Sequence, residues 1–214
     1  MASTRLPIKK TAHASEQERS DVQAARVRWH KRQNWLMNHL DLLGRIVFID
    51  ETGLNTKMAR LRGRSTKGQR LVASIPHGHW KTMTFIAGLR HDGMTAPWLL
   101  DGPMDGSGFV TYIQTQLAPT LQKGDVVVVD NLPAHKVADA KAAIKKRGAW
   151  LLFLPPYSPD LNPIELAFSK LKAHMKRLAL RTVDELWKGL GQILELFSRQ
   201  ECENFFAASG YGPN

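Results

Sequence analysis

Three acidic residues stand at positions from which they could act together. Asp50 ends the apolar run 45–50 (RIVFID), Asp130 ends the valine run 124–130 (GDVVVVD), and Glu165 follows a proline-rich loop. In open α/β sheets, ligands bind at the C-terminal ends of the strands. If the two strands are neighbours, their ends lie about 5 Å apart, near enough for two aspartates to share a cation. Crowded carboxylates repel one another, whereas oxygen ligands suit Mg²⁺ or Mn²⁺.

Each of these acids also has a purely structural interpretation. Asp50 and Gly53 suit the first and last positions of a type I turn, and Asp130 also precedes a turn. Glu165 suits a capping box, in which its carboxylate accepts from the backbone N–H of Asn162. Local rules alone therefore leave both interpretations open for each acid.

The loop before Glu165 is expected to be stiff. It carries prolines at positions 155, 156, 159 and 163, which fix φ and leave little chain entropy to lose. Asn162 is expected to cap a helix that has Pro163 at its first position. The apolar residues that follow recur at helical spacing and predict a helix docked on a core, namely Ile164, Phe168, Leu171, Met175 and Leu178.

The remaining patterns predict an α/β fold with a mixed five-stranded sheet flanked by helices, in the order βββαβαβα. The strands are expected at 45–50, 82–89, 96–100, around Val126 and at 150–154, with a further extended run at Leu71 to Ile75. Helices are expected at 15–40 (with a Ser15 and Glu18 capping box), from Ser107, at 136–147, after Pro163 and within 183–208. The 214 residues fit one large domain at 15–214, preceded by a basic linker or arm at 1–14.

The charge of the chain points to a polyanionic partner. Lys and Arg number 30 against 19 Asp and Glu, so the net charge is +11, and the pI is about 10.0. Nucleic acid is the leading candidate for such a protein. A flexible basic hairpin is expected between the first two strands, with Arg60, Arg62, Arg64, Lys67 and Arg70 suited to a nucleic-acid backbone. Lys172, seven residues after Glu165, could meet phosphate beside the carboxylates.

Cysteine usage and hydropathy limit the classes of protein further. A single cysteine, Cys202, excludes an internal disulfide and a multi-cysteine zinc site, and it favours a reducing cytoplasm. Cys202 is expected to be a small core residue. No apolar run approaches the roughly 20 residues of a membrane span.

Three segments resemble the signature blocks of a known family. The segments FIDETG at 48–53, GDVVVVDNLPAHK at 124–136 and LPPYSPDLNPIE at 154–165 are similar to those of bacterial insertion-sequence transposases of the mariner superfamily, in the family numbered 630. Asp130 and Glu165 have 34 residues between them, the separation expected of that DDE-type group. The likeness extends over nearly the whole chain.

The resemblance implies an RNase H-like catalytic domain in which Asp50, Asp130 and Glu165 are the ligands of two Mg²⁺ or Mn²⁺ ions. Asn131, His135 and Asn162 would shape the site, whereas Glu51, Asp139 and Asp160 are not expected to be ligands. The list of expected partners comprises transposon-end and target DNA, a second copy of the chain, and an upstream helix-turn-helix polypeptide that recognises the element ends.

The implied reaction is hydrolytic nicking at transposon ends followed by attack of the freed 3′-hydroxyl on target DNA, within the bacterial cytoplasm. Two alternatives remain. One is an inactive DNA-binding remnant of a mobile element, and the other is an RNase H-like nuclease acting on other nucleic acids.

Overall fold

The structure is a computed structural model that describes residues 14–39, 43–72, 74 and 79–212. Of the expected arm at 1–14, residues 1–13 lie outside the described residues. The strands are β1 (Ile46–Asn55), β2 (Thr82–Arg90), β3 (Gly93–Asp101), β4 (Val126–Val129) and β5 (Trp150–Phe153). The α-helices are α1 (Ser20–Met37), α2 (Gly106–Tyr112), α3 (Ala138–Lys146), α4 (Pro163–Leu178), α5 (Val183–Leu194) and α6 (Arg199–Ala208). A π-helical turn, Ile113–Leu117, extends α2, and a 3₁₀ turn, Pro133–His135, precedes α3.

The five strands form one mixed sheet in the order β3-β2-β1-β4-β5. β1, β2 and β3 pair antiparallel, whereas β4 pairs in parallel with both β1 and β5. Val127, Val128 and Val129 of β4 are fully buried, as expected for a strand covered on both faces. The predicted mixed five-stranded sheet is confirmed, and β1 and β4 are neighbours as the carboxylate hypothesis requires.

Helices cover both faces of this sheet. On one face, Phe48 and Phe85 of the sheet pack with Phe168 of α4, and α1, α5 and α6 add to the same cluster. On the other face, Phe109 and Ile144 pack from α2 and α3. Cys202 is fully buried in the first cluster, as predicted. None of the helices in the described part of the chain combines the length and apolar character needed to span a bilayer.

The first strand differs from its prediction in a way that matters for the site. β1 continues through Asp50 to Asn55 because residues 48–55 pair with β2, so the type I turn expected at Asp50 is wrong. The parallel pairing with β4 nevertheless stops at Phe48 and Val128. Asp50 therefore lies inside a strand, but beside the point at which the neighbouring strand ends.

Two other local predictions are wrong. Leu71, Val72 and Ser74 belong to no strand, and the other two residues of the expected run 71–75 lie outside the described residues. Leu71 and Val72 are exposed, so no buried face favours pairing there. The Ser15 capping box does not form, because residues 15–18 make a separate 3₁₀ turn and α1 begins after Arg19 without a side-chain cap.

Candidate active site

The two aspartates reach one edge of the sheet from adjacent strands. Asp130 directly follows β4, and the β1–β4 register pairs Phe48 with Val128, which places Asp50 and Asp130 each two residues beyond that pair. Glu165 stands at the third position of α4, whose buried face, Ile164 to Met175, packs beneath the sheet. The three carboxylates line one cleft of about 400 Å³, together with Asn131, Asn162 and the prolines of the loop.

The proline loop that leads to Glu165 is held by the N-terminal helix. Arg26 of α1 donates to Ser158 Oγ at 2.7 Å and to both carboxylate oxygens of Asp160, at 2.9 and 2.6 Å. Gln17 donates to the carbonyl of Tyr157, which has a φ of 55°, in the left-handed region that favours glycine. Asp160 is therefore paired with Arg26, and its exclusion as a metal ligand stays a prediction.

A second anchor comes from the C-terminal end of the chain. Tyr211 is 1% exposed, its hydroxyl donates to the carbonyl of Leu161, and the same hydroxyl accepts from Trp29 Nε1. Its ring packs edge-on against Phe48 of β1, with 4.9 Å between ring centroids. The loop before α4 is thereby tied to α1 and to the strand that carries Asp50.

Asp50 is buried, and each of its carboxylate oxygens accepts one hydrogen bond. Its Oδ1 accepts from the backbone N–H of Glu51 at 2.8 Å, and its Oδ2 accepts from Asn162 Nδ2 at 2.9 Å. Burial raises the pKa of Asp50 well above its ordinary value, and the charges of Glu165 and Glu51 raise it further. This carboxylate is therefore destabilised as an anion and would gain from a nearby cation.

Asn162 does not cap α4 with its side chain, so that prediction is wrong. Its amide is 2% exposed and faces Asp50, while its backbone N–H donates to the carbonyl of Pro159. Because that N–H is already used within the loop, Glu165 does not form the expected capping box either. The Glu165 side chain is free to face the cleft.

Asp130 is fixed by His135. Its Oδ1 accepts from the backbone N–H of Leu132 at 3.2 Å and lies 2.5 Å from His135 Nδ1. The other ring nitrogen, Nε2, lies 3.2 Å from Glu51 Oε2, with an angle that falls short of a hydrogen bond. The imidazole is fully buried, and its ring contacts Phe109 with 4.4 Å between centroids.

His135 is the cation of this group. Burial lowers its pKa, but the hydrogen bond to Asp130 and the negative charges of Asp130 and Glu51 outweigh burial and raise the pKa to about 9. His135 is thus protonated at neutral pH and bridges the end of β4 to β1. Glu51 was predicted only not to be a metal ligand, and its place beside His135 was not predicted. Strand alternation was the available signal, since it turns Glu51 to the opposite face of the sheet from Asp50.

Glu165 is the most accessible of the three carboxylates. Desolvation raises its pKa, the charge of Lys172 lowers it, and the charges of Asp130 and Glu51 raise it, with a net upward shift. Lys172, one of the sequence-predicted phosphate contacts, thus lies close enough to Glu165 for their charges to interact. The charges of the three acids thus act on one another, and the charge of Lys172 acts on Glu165.

The carboxylates are not arranged as a closed metal cage. Within the described ranges, no three His, Cys, Asp or Glu side chains are grouped as the ligands of one ion would be. Asp50 directs one oxygen at Asn162, and Asp130 directs one at His135. Because an ionised carboxylate has about four acceptor sites, these donors leave room for a cation on each aspartate.

The basic residues between β1 and β2 are exposed and lie apart from this cleft. Those predicted to contact nucleic acid, namely Arg60, Arg62, Arg64, Lys67 and Arg70, belong to no strand and do not line the cleft. The expected hairpin is reduced to a turn in which Gln69 N–H donates to the carbonyl of Thr66. The structure does not bring these cations together with the carboxylates.

The chain is similar to known proteins in both sequence and fold. A family model described as "DDE superfamily endonuclease" matches residues 45–187. An alignment of 233 residues with the Tcb2 transposase of Caenorhabditis briggsae has 25% identity and covers 97% of this chain and 81% of that protein.

Solved structures of Mos1 transposase share the fold. The Mos1 paired-end complex with the left transposon end aligns with a TM-score of 0.72 at 15% identity, over 98% of this chain and 68% of that one. The catalytic domain of Mos1 mariner transposase aligns with a TM-score of 0.57 at 14% identity, over 98% of this chain and all of that one. The predicted RNase H-like fold is confirmed by this likeness.

Proposed function

Because the chain belongs to the DDE superfamily of endonucleases, we propose that it is the catalytic domain of a DNA transposase, with Asp50, Asp130 and Glu165 as its catalytic carboxylates. The observation that carries this proposal is the convergence of the three acids on one cleft from β1, β4 and α4. The family match also favours an endonuclease over an inactive remnant. The likeness to transposases favours DNA as the substrate over other nucleic acids.

The donor set fits a divalent cation. Asp50, Asp130 and Glu165 offer oxygen ligands only, which suits Mg²⁺ or Mn²⁺. Burial, and then the repulsion of neighbouring acids, raise the pKa values of Asp50 and Glu165, and a bound cation would offset both effects. Solved Mos1 complexes include one with Mn and one with Mg. Two bound ions would supply activation of the attacking oxygen and stabilisation of the leaving oxygen.

The residues of the chain have distinct roles in this proposal. The neutral amide of Asn162 orients Asp50, and the cationic imidazole of His135 orients Asp130. Asn131, which follows Asp130 and lines the cleft, helps to shape it. The reactions are nicking by water at a transposon end and then attack of the new 3′-hydroxyl on target DNA.

The proposed DNA-binding residues lie outside the cleft. Arg60, Arg62, Arg64, Lys67 and Arg70 would follow the phosphate backbone, and Lys172 would contact phosphate next to Glu165. Support comes from the exposure of the five residues between positions 60 and 70 and from the net charge of +11, since phosphate contacts dominate the affinity of proteins for DNA.

We further propose a bacterial family for the chain, a paired assembly and a partner that recognises the element ends. The signature segments support placement in the bacterial insertion-sequence family numbered 630, whereas the similar Tcb2 transposase comes from Caenorhabditis briggsae. A paired arrangement of two element ends would need two copies of the chain, and a helix-turn-helix polypeptide would recognise those ends. A bacterial cytoplasm suits the single cysteine, Cys202.

A nicking assay tests the proposal. The purified chain should convert a duplex carrying its element end to nicked product with Mg²⁺ or Mn²⁺ and not with EDTA. Asp130→Asn should abolish nicking while DNA binding is retained. Asp139→Asn, an equal charge change at an exposed position on α3, should leave nicking unchanged. Wild-type activity in Asp130→Asn would show that the assignment is wrong.

A further inference from the structure

A groove leads away from the carboxylate cleft along the N-terminal helix. It runs between α1 and β5, which is the edge strand of the sheet, and is lined by Arg28, Arg32 and Trp35 on one side and Trp150, Leu152 and Pro155 on the other. We call it the α1–β5 groove. Near the cleft, its walls include Asn131 and the segment 154–156, which also line the carboxylate cleft. The two depressions are therefore continuous.

The helical wall of this groove carries one stripe of side chains. Arg28, Arg32 and Trp35 recur at spacings of four and three residues, so they share a face of α1. Arg28 lies beside the loop at the C-terminal end of β5, and Trp35 lies beside Trp150 at its N-terminal end. From Arg28 to Trp35 the helix rises about 10 Å at 1.5 Å per residue.

The two arginines in the groove are free to bind an anion. Both are exposed, and neither forms an ion pair with any acidic residue in the described part of the chain. Their neighbour Arg26 is different, because it is neutralised by Asp160. The residues that line the groove include no Asp or Glu among those described. Arg32 also lies over the Trp29 ring, 5.6 Å from its centroid, which holds the guanidinium along the groove.

The far end of the groove offers aromatic surface. Trp35 is 53% exposed and Trp150 is 68% exposed, although both are large apolar side chains. Cationic grooves with accessible aromatic rings are typical of proteins that bind single-stranded nucleic acid, where phosphates meet arginines and unpaired bases stack on the rings. A base in a duplex is already stacked on its neighbours and gains less from such a surface.

We propose that the α1–β5 groove binds an unpaired DNA strand that leaves the carboxylate cleft, with phosphates on Arg28 and Arg32 and bases stacked on Trp35 and Trp150. Its length suits about three nucleotides at 3.4 Å each. The proposal rests on the proposed function, because the cleft supplies the point at which the strand enters.

Fluorescence anisotropy with a fluorescein-labelled 12-mer of thymidine, in EDTA, tests this binding. Arg28→Gln with Arg32→Gln should weaken binding at least tenfold at low salt and reduce the slope of log K against log salt by about 1.4, since each phosphate contact contributes about 0.7. Lys141→Gln with Lys145→Gln removes the same charge from an exposed face of α3 on the other side of the sheet. This control should change the affinity less than twofold.

The stacking contacts have their own test. Trp35→Ala with Trp150→Ala should weaken binding of the 12-mer about tenfold without altering the salt slope, and should remove most of the quenching of tryptophan fluorescence on binding. Trp187→Ala, at an equally exposed tryptophan on α5, should preserve both. Equal effects of the groove variants and their controls would overturn the proposal, as would equally tight binding of a blunt duplex through the same residues.

The outcome is separable from that of the nicking assay. If the wild-type chain nicks DNA but the groove variants bind the 12-mer as tightly as wild type, the groove proposal is refuted and the proposed function stands. Groove-dependent binding of the 12-mer without any nicking would support the groove and contradict the proposed function.

Discussion

The side-chain amide of Asn162 donates from Nδ2 to Oδ2 of Asp50 over 2.9 Å, and this bond joins the residue before α4 to the interior of β1. Both groups are buried, with Asn162 2% and Asp50 8% exposed. The chain separation is 112 residues, so the bond fixes the proline loop on the sheet. Glu165, three residues after Asn162, is brought to the cleft by the same attachment.

Asn162→Ala should therefore reduce both stability and activity. Loss of the donor leaves a buried carboxylate oxygen unsatisfied, at a cost of about 1–3 kcal/mol. The lower end of this range is expected, because the substitution also removes Asn162 Oδ1, a buried acceptor without a described partner. Urea unfolding and the nicking rate would measure the two effects. Asn204→Ala, at an exposed position on α6, should change stability by less than about 0.5 kcal/mol.

His135 predicts a specific dependence of stability on pH. Its folded-state pKa of about 9 exceeds the ordinary value of 6.5, so the stabilisation is complete below pH 6.5 and disappears as the pH rises through 9. The shift corresponds to a stabilisation on the order of 3 kcal/mol. The difference in unfolding free energy between wild type and His135→Gln should therefore shrink over this window. A difference that stays constant from pH 6 to pH 10 would contradict a protonated His135.

Two buried tyrosines offer a matched pair of substitutions. Tyr211→Phe removes a hydroxyl that accepts from Trp29 and donates to Leu161, and should cost about 1–3 kcal/mol of unfolding free energy. Tyr112 is equally buried, but its hydroxyl has no described hydrogen-bond partner, so Tyr112→Phe should be neutral or slightly stabilising. Similar losses from the two substitutions would mean that Tyr211 does not tie the loop to α1.

The parts of the fold set by long periodic patterns were predictable. The valines of β4 predict a strand buried on both faces, and the helical spacing of the apolar residues from Ile164 to Met175 predicts α4. Leu178, the last residue of that predicted stripe, is 42% exposed because the helix ends there. The convergence of Asp50 and Asp130 also followed once β1 and β4 were taken as neighbours.

The local interpretations failed where a distant partner decides the structure. Asp50 looks like a turn residue until β2 pairs with residues 48–55 and extends the strand. Asn162 looks like a helix cap, but its amide donates to the buried carboxylate of Asp50 on β1. Glu51 lies beside the imidazole of His135, which is 84 positions later in the sequence. Strand alternation gives the face of the sheet on which Glu51 lies, but no periodic pattern identifies the distant partner in any of these contacts.

The central claim is that Asp50, Asp130 and Glu165 form one divalent-cation site, and calorimetric titration with Mn²⁺ tests it without any DNA. Wild type should bind Mn²⁺, and Asp130→Asn and Glu165→Gln should each lose that binding. Asp139→Asn should retain it. Binding that persists in the two carboxylate variants, or that is absent from the wild type, would contradict the claim.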